Sequence, residues 1–317
     1  MNMLNTPTYI YEELKRRKVK VEIISEEDML MRYYHDGRWR FIKGCFDETA
    51  SVLAMKFCND KRLSEYIAKQ VKLKLPASER FESEAQAMRF IERHGPAVIK
   101  PVDTAHGNGI SMNVKSRTGL KKALALAKKF SNKPPLLQQF VQGSDVRMLI
   151  IDGKFAAAVR RVPATVVGDG EHTIAELIDI ENNRPVRSKS ISGKLKIISL
   201  HAARAYLSRK IRKVPKKGEK VEVVGVSNTS MGGHAEDYTD QVPKAAIKHA
   251  EAFAQKLRMP LCGVDIILGE NDDYSFIEAN SSPGFGPHHH PRVGKERDVT
   301  AKFVDMLLKT DSIDFNK

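Results

Sequence analysis

Three oxygen donors interrupt an apolar stretch toward the C-terminal end of this chain. Asp265 breaks the run Leu261–Leu268, and Glu278 and Asn280 close the run that begins at Tyr274. Gly269, Asn271 and Asp272 lie between the two runs, a pattern that predicts a β-hairpin in a mostly buried sheet. Glu278 and Asn280 are two residues apart, so an extended chain points them to one side. Pairing of the strands could bring Asp265 beside them. Two carboxylates and an amide oxygen suit Mg2+, which prefers oxygen ligands and shares them with phosphate. The plainer alternative is that Asp265 ends a strand and Glu278 pairs with a lysine. An acid inside GVDIIL is costly to bury without a partner, which favours the metal.

The elements before this hairpin offer phosphate-directed groups. Ala97–Lys100 reads as a short apolar strand. The loop His106-Gly107-Asn108-Gly109 and a second strand, Ile110–Val114, follow it. Glycines let backbone N–H groups approach phosphate oxygens, and Lys100 supplies a point charge beside them. The same loop also makes an ordinary hairpin turn. Apolar stripes at helical spacing predict helices over Ser83–His94, after the N-cap Ser116, around Ile247–Leu257 and around Val299–Leu307. Val146–Ile151 and Phe155–Arg160 predict a second hairpin through Asp152-Gly153, with Arg147, Arg160 and Arg161 on its strands. No Ser/His/Asp or Cys/His nucleophile set is apparent. That fits chemistry done by positioning and charge neutralisation.

The chain has 317 residues, 41% of them hydrophobic, enough for two or three lobes with cores. No apolar run approaches the ~20 residues of a membrane span. The N-terminus has no signal-peptide core, so a cytoplasmic protein without a membrane partner is expected. Cys45, Cys58 and Cys262 lie far apart in sequence without metal-ligand spacing, and no disulfide is implied. The formal charge of +14 points to an anionic partner or a solvated surface. Arg187–Lys220 holds twelve Lys and Arg against one acid, Glu219. It has few aromatics for base stacking, so an anionic substrate is the better reading and nucleic acid the lesser one. The triplet His288–His290 is not read as a zinc site, because adjacent histidines rarely converge on one ion.

GVDII followed by FIEANSSPGF resembles the metal-binding end of an ATP-grasp ligase. Ordered motifs from about Ser51 to Leu308 extend the resemblance. They match the module shared by cyanophycin synthetases and bifunctional glutathione synthetases. The resemblance implies an α/β (α+β) fold in which two lobes clamp ATP. Residues 1–55 would be an abbreviated N-terminal lobe and 56–141 the first ATP-grasp lobe. Residues 142–317 would be the second lobe, carrying a basic insertion at 184–220.

The resemblance places Lys61, Lys100 and the loop residues His106, Gly107 and Gly109 at the nucleotide, with no catalytic role for His106. Gln138, Gln139, Phe140 and Val141 match the adenine hinge, and Asp145 the acid that holds the ribose. The family usually has glutamate at the first hinge position; Gln138 can still hydrogen-bond but carries no charge. Asp265, Glu278 and Asn280 match the metal ligands. RRVPATVVGDGEHTIAELIDIENNRP matches the family closely, and its Arg161 would meet a phosphate or the developing acyl-phosphate. VGVSNTSMGGHAEDYTDQV resembles the large glycine loop. Asn228, Thr229, Ser230, Gly232 and Gly233 would close over the transferred phosphate. His288 matches a family histidine.

The implied activity joins a carboxylate, on an amino acid or small acidic peptide, to an amine through an acyl-phosphate. ADP and phosphate are released. ATP and Mg2+ are the implied cofactors, with two ions expected and Mn2+ a substitute. A homodimer or homotetramer is compatible with such a ligase. A freestanding ligase, without a glutamate–cysteine ligase half and without a second ligase domain after Lys317, is expected beside the glutathione-like and cyanophycin-like readings. The alternative class is a non-catalytic nucleotide- or nucleic-acid-binding protein on the same scaffold.

Overall fold

The computed structural model describes residues 6–104, 109–188, 195–225 and 231–309. Helix α1 (Thr6–Arg16) leads into an antiparallel meander of β1 (Val21–Ser25), β2 (Leu30–His35), β3 (Arg38–Lys43) and β4 (Phe46–Asp47). Helices α2 (Val52–Asn59) and α3 (Lys61–Gln70) follow. Asp60 separates them, because its side chain accepts from the Arg62 and Leu63 backbone N–H groups and caps α3. Lys61 thus opens α3 directly after this cap. Val52 and Leu53 of α2 are exposed, which blurs its apolar stripe.

The next unit comprises β5 (Ser78–Arg80), α4 (Glu84–His94), β6 (Ala97–Lys100), β7 (Ser111–Val114), α5 (Arg117–Lys128) and β8 (Leu136–Gln139). Its sheet runs β5-β8-β6-β7. Ser83 and Ser116 cap the two helices, which pack on the sheet through Phe90, Ile91, Leu120 and Ala123.

The chain then forms the hairpin of β9 (Ser144–Ile151) and β10 (Lys154–Val162). A small unit follows: β11 (Thr165–Val167), α6 (Ile174–Asn182), β12 (Arg187–Ser188), β13 (Leu195–Lys196), α7 (Leu200–Leu207) and β14 (Lys220–Glu222). After it come β15 (His234–Asp237), α8 (Lys244–Leu257), β16 (Leu261–Leu268), β17 (Tyr274–Asn280), the single turn α9 (Gly286–His289) and α10 (Val299–Lys309). The central sheet is antiparallel throughout, in the order β15-β10-β9-β16-β17.

Both faces of this sheet are covered, which explains the nearly unbroken apolar text of β9 and β16. Val146, Met148 and Ile150, with Cys262, Val264 and Ile266, share one core with Ala250 and Phe253 of α8. Leu149, Ile151 and Leu261 share the other with Ile10 and Leu14 of α1, Met31, Phe285 and Phe303. The first fifty residues thus contribute to a core that the central sheet also builds. Gly143, just before β9, lies so close to β16 that a Cβ there would come within 2.3 Å of the Leu268 carbonyl oxygen. Among the described residues, no helix is long and apolar enough to cross a membrane.

Candidate active site

Strand alternation selects the side chains that meet at the middle of the sheet. Residues 146, 148 and 150 point into one core, so Asp145 and Arg147 lie on the opposite face. The register sets Arg147 opposite Asp265, Asp265 opposite Glu278, and Arg161 opposite Asp145. Asn280 follows Glu278 by two residues and shares its face. Five charged side chains and one amide from four strands therefore converge.

Asp265 is completely buried. Arg147 grips it as a fork, Nε donating to Oδ1 at 2.7 Å and Nη2 to Oδ2 at 2.7 Å. Arg161 Nη2 lies 2.9 Å from Oδ2 of the same carboxylate. Arg161 also donates to Asp145 Oδ1, from Nε at 2.9 Å and Nη2 at 2.5 Å. Burial alone would push the Asp265 carboxyl up, but the two guanidiniums outweigh it and hold the group below the ordinary carboxylate range. Asp145 goes the other way. Burial raises it to about 6 against the pull of Arg161, whose charge it shares with Asp265.

The other wall comes from the α2–α3 junction. Asn59 Nδ2 donates to Ser281 Oγ at 2.9 Å, and the Ser281 backbone N–H donates to Asn59 Oδ1 at 3.1 Å. This reciprocal pair pins the start of α3 to the end of β17. It places the buried Lys61 with Nζ 3.6 Å from Glu278 Oε2 and donating to the Thr104 carbonyl oxygen at 3.2 Å. Lys100 is also buried and donates to Gln138 Oε1 at 2.9 Å. Burial, with Lys61 nearby, lowers the Lys100 ammonium to about 8. The Gln138 amide donates in turn toward Glu65 Oε1 at 3.5 Å. Gln138 thus bridges a buried lysine and a buried acid. Beyond it, Phe140 N–H donates to the Pro96 carbonyl oxygen.

The donor set fits a divalent cation completed by phosphate oxygens. Asp265 and Glu278 face each other across the strand pair with the Asn280 amide beside them, a hard-oxygen set. Among the described residues no group of three His, Cys, Asp or Glu side chains is arranged to hold a metal, so a cation here would need the amide and substrate oxygens to complete its shell. Asp265 accepts two N–H bonds from Arg147 with Arg161 Nη2 close by, and has further lone-pair capacity. Three acids, Asp145, Asp265 and Glu278, are balanced by Arg147, Arg161 and Lys61. Phosphate charge entering this cluster would therefore be favoured by an added cation.

Arg161, Asp145, Asp265, Glu278, Asn280, Lys61, Lys100 and Gln138 are all described, and Gln139, Phe140 and Val141 continue from Gln138. Gly109 is described and has φ +77°. His106, Gly107 and Ser230, with Asn228 and Thr229, lie outside the described residues. Gly232 has φ +96°, and a Cβ there would come within 2.7 Å of the Ile198 Cα. Arg160 pairs with Glu236 at the sheet edge. Cys58 and Cys262, remote in sequence, are buried thiols with sulfurs 3.6 Å apart.

Two participants carry little sequence signal. Glu65 is an acid within an ordinary amphipathic helix. Asp237 accepts from Arg297 and fixes the segment after α9, a pairing across 60 residues that no local pattern announces. His288 is buried at 1% exposure with neither ring nitrogen hydrogen-bonded among the described residues, and burial together with Arg147 lowers it to about 3. Its neighbour His289 stacks on Tyr9 and bonds Thr300 Oγ1 at 2.6 Å.

Comparison with known proteins gives this arrangement a context. Residues 68–173 match the family model of the prokaryotic glutathione synthetase ATP-grasp domain. Cyanophycin synthetase of Crocosphaera subtropica is 31% identical over 313 residues, covering 95% of this chain and 36% of the relative. The bifunctional glutathione biosynthesis protein of Enterococcus faecalis is 26% identical over 321 residues, covering 96% of this chain and 42% of the relative. The chain thus spans about two fifths of the length of these relatives. The crystal structure of a bifunctional glutathione synthetase from Pasteurella multocida superposes with a TM-score of 0.68 at 25% identity, over 96% of this chain and 43% of that one. The D-alanine–D-alanine ligase of Bacillus anthracis, at 13% identity and a TM-score of 0.50 over 82% of this chain and 69% of that one, shares the fold. The chain has the ATP-grasp fold and is similar to the modules found in cyanophycin synthetase and bifunctional glutathione synthetase.

Proposed function

We propose that the chain is an ATP-dependent carboxylate–amine ligase that forms an amide through an acyl-phosphate. The observation that carries this reading is the register pair Asp265–Glu278. Arg147 and Arg161 lie on one side of it and Lys61 on the other. That arrangement suits a metal-associated polyphosphate, and none of these side chains is a serine, threonine or cysteine nucleophile. The proposed substrates are ATP, a carboxylate on an amino acid or small acidic peptide, and an amine.

In this proposal Asp265, Glu278 and Asn280 hold Mg2+, as two ions and with Mn2+ as a substitute. The metal supplies neutralisation of phosphate charge. Lys61 and Lys100 hold phosphate oxygens, with the backbone of His106, Gly107 and Gly109 around them. The hinge Gln138–Val141 meets adenine and Asp145 the ribose. Arg161 exchanges part of its contact with Asp145 for the transferring phosphoryl group, where a planar fork serves well. A substrate carboxylate oxygen attacks the γ-phosphorus, the bond from that phosphorus to the bridging oxygen breaks, and ADP leaves. The amine nitrogen then attacks the acyl carbon, the C–O bond to phosphate breaks, and the nitrogen's extra proton passes to solvent. Ser230 and Gly232 belong to the loop that keeps water from the acyl-phosphate.

The test is ADP release with Mg·ATP across amino acids, acidic dipeptides and γ-glutamylcysteine, each with and without an amine. Release that requires a specific acid–amine pair is expected. ATP binding without turnover on any pair would favour a non-catalytic nucleotide-binding protein instead.

A further inference from the structure

Residues 164–188 and 195–224 form a small unit with its own core, including Val166, Ile174, Ile178, Ile198 and Ala203. It leaves the central sheet just after Arg161 and rejoins it at β15, where Ala235 is the register partner of Arg161. Both stalks of the unit therefore stand beside the arginine assigned to the transferring phosphate. The buried Arg187 fastens the two together. Its Nη1 donates to the Lys196 carbonyl oxygen at 2.7 Å and to the Gly232 carbonyl oxygen at 2.8 Å, and its Nε donates to Glu181 at 3.0 Å.

The outer surface of the unit has a different character. Arg204, Arg209, Lys210, Arg212, Lys213 and Lys216 are exposed, and none joins an ion pair among the described residues. Outside the unit some exposed cations do find acids, as Arg93 finds Glu79 and Lys295 finds Asp240. Crowded like charges repel one another and create a field that a polyanion relieves. The one aromatic between residues 195 and 225 is Tyr206. Its ring lies against Gly225, where a Cβ would be 2.5 Å away, so there is no row of stacking platforms for bases. In the ligase reading the neighbouring site takes a carboxylate.

We propose that the exposed cations between Arg204 and Lys216 form a docking surface for an acidic peptide and hold it so that one of its carboxylates reaches the site beside Arg161. This names the carboxylate substrate class of the ligase reading and rests on it for the final step alone. The patch fixes the substrate's acidic flank by long-range attraction. Arg187 and Gly232 keep the docked chain in a fixed relation to the catalytic sheet.

The test is fluorescence anisotropy of labelled deca-aspartate against the intact protein, beside an RNA oligonucleotide of matched charge. Two charge reversals of equal size are compared: Arg209→Glu/Lys210→Glu/Arg212→Glu/Lys213→Glu on the patch, and Lys121→Glu/Lys122→Glu/Lys128→Glu/Lys129→Glu on α5. All eight side chains are exposed. The patch reversal should weaken peptide binding about tenfold or more and the α5 reversal less than about twofold, with the difference shrinking as salt rises. Equal effects of both reversals, no effect of either, or tighter binding of RNA than of peptide near 0.15 M salt (about physiological) would overturn the proposal. If the patch reversal unfolds the unit, the milder pair Arg209→Gln/Lys213→Gln gives the same comparison. Binding needs no turnover, so docking that persists without ADP release would reject the ligase reading alone. Turnover without docking would reject this inference alone.

Discussion

A wholly buried aspartate is tolerable here because two guanidiniums meet it. Asp265 would otherwise be an uncompensated charge in an apolar sheet, and Arg147 supplies both of its near bonds. Replacing Arg147 by methionine should cost about 3 kcal/mol of stability by urea denaturation, the scale of breaking a buried pair. A loss no larger than that of a surface arginine would mean that Arg161 alone suffices. The buried ammonium makes a pH prediction. Lys100 is lowered to about 8 by burial, so its charged form is lost as pH rises through that value. ATP affinity should be flat below about pH 8 and fall by up to about tenfold per unit above it. In Lys100→Arg it should stay flat over the same range, because a guanidinium does not titrate there. Equal slopes in the two proteins would exclude Lys100 from the phosphates. Asp265 and Glu278 are legible in the sequence because an acid inside an apolar strand is anomalous. The Asp145–Arg161 pair is not, since it depends on a register between strands that the local text does not state. Arg187 is hidden for another reason: inside a basic run, a structural arginine looks like its neighbours.

At the scale of elements, caps and hairpins read directly, because their signals are local. Ser83, Ser116 and the hairpins around residues 152–153 and 269–273 have the expected residues at the expected offsets. The α2–α3 junction does not read so easily. Its Asp60 both ends one helix and caps the next, and its Asn59 joins an element more than two hundred residues away. Asn59→Ala removes two hydrogen bonds to Ser281 and should cost about 1–2 kcal/mol. It should also weaken ATP binding, because the same junction sets Lys61. A drop in stability with unchanged ATP affinity would separate the clamp from the site. In the small unit, Thr173 and Glu176 form a reciprocal capping box for α6. Thr173→Ala should cost about 1 kcal/mol in thermal unfolding.

For the whole molecule, the first fifty residues share a core with the sheet that carries the site. Ile10, Leu14, Met31 and Ile42 are fully buried against Leu149, Leu261 and Phe303. Leu14→Ala should therefore destabilise the protein by about 2–5 kcal/mol, as for other buried leucines. A small loss, or a separate early transition, would show that this segment folds independently. Its attachment is hard to see in sequence, because its strands are short and their partners lie at the far end of the chain. What the assembled site does with a carboxylate is tested most directly by labelling the oxygens of the accepted acid with 18O and following the label through ligation. Attack of a carboxylate oxygen on the γ-phosphorus predicts that the released inorganic phosphate carries a labelled oxygen, and that Glu278→Gln suppresses both label transfer and ADP release. Amide formation with unlabelled phosphate would contradict the acyl-phosphate route, and with it the role proposed for Arg161.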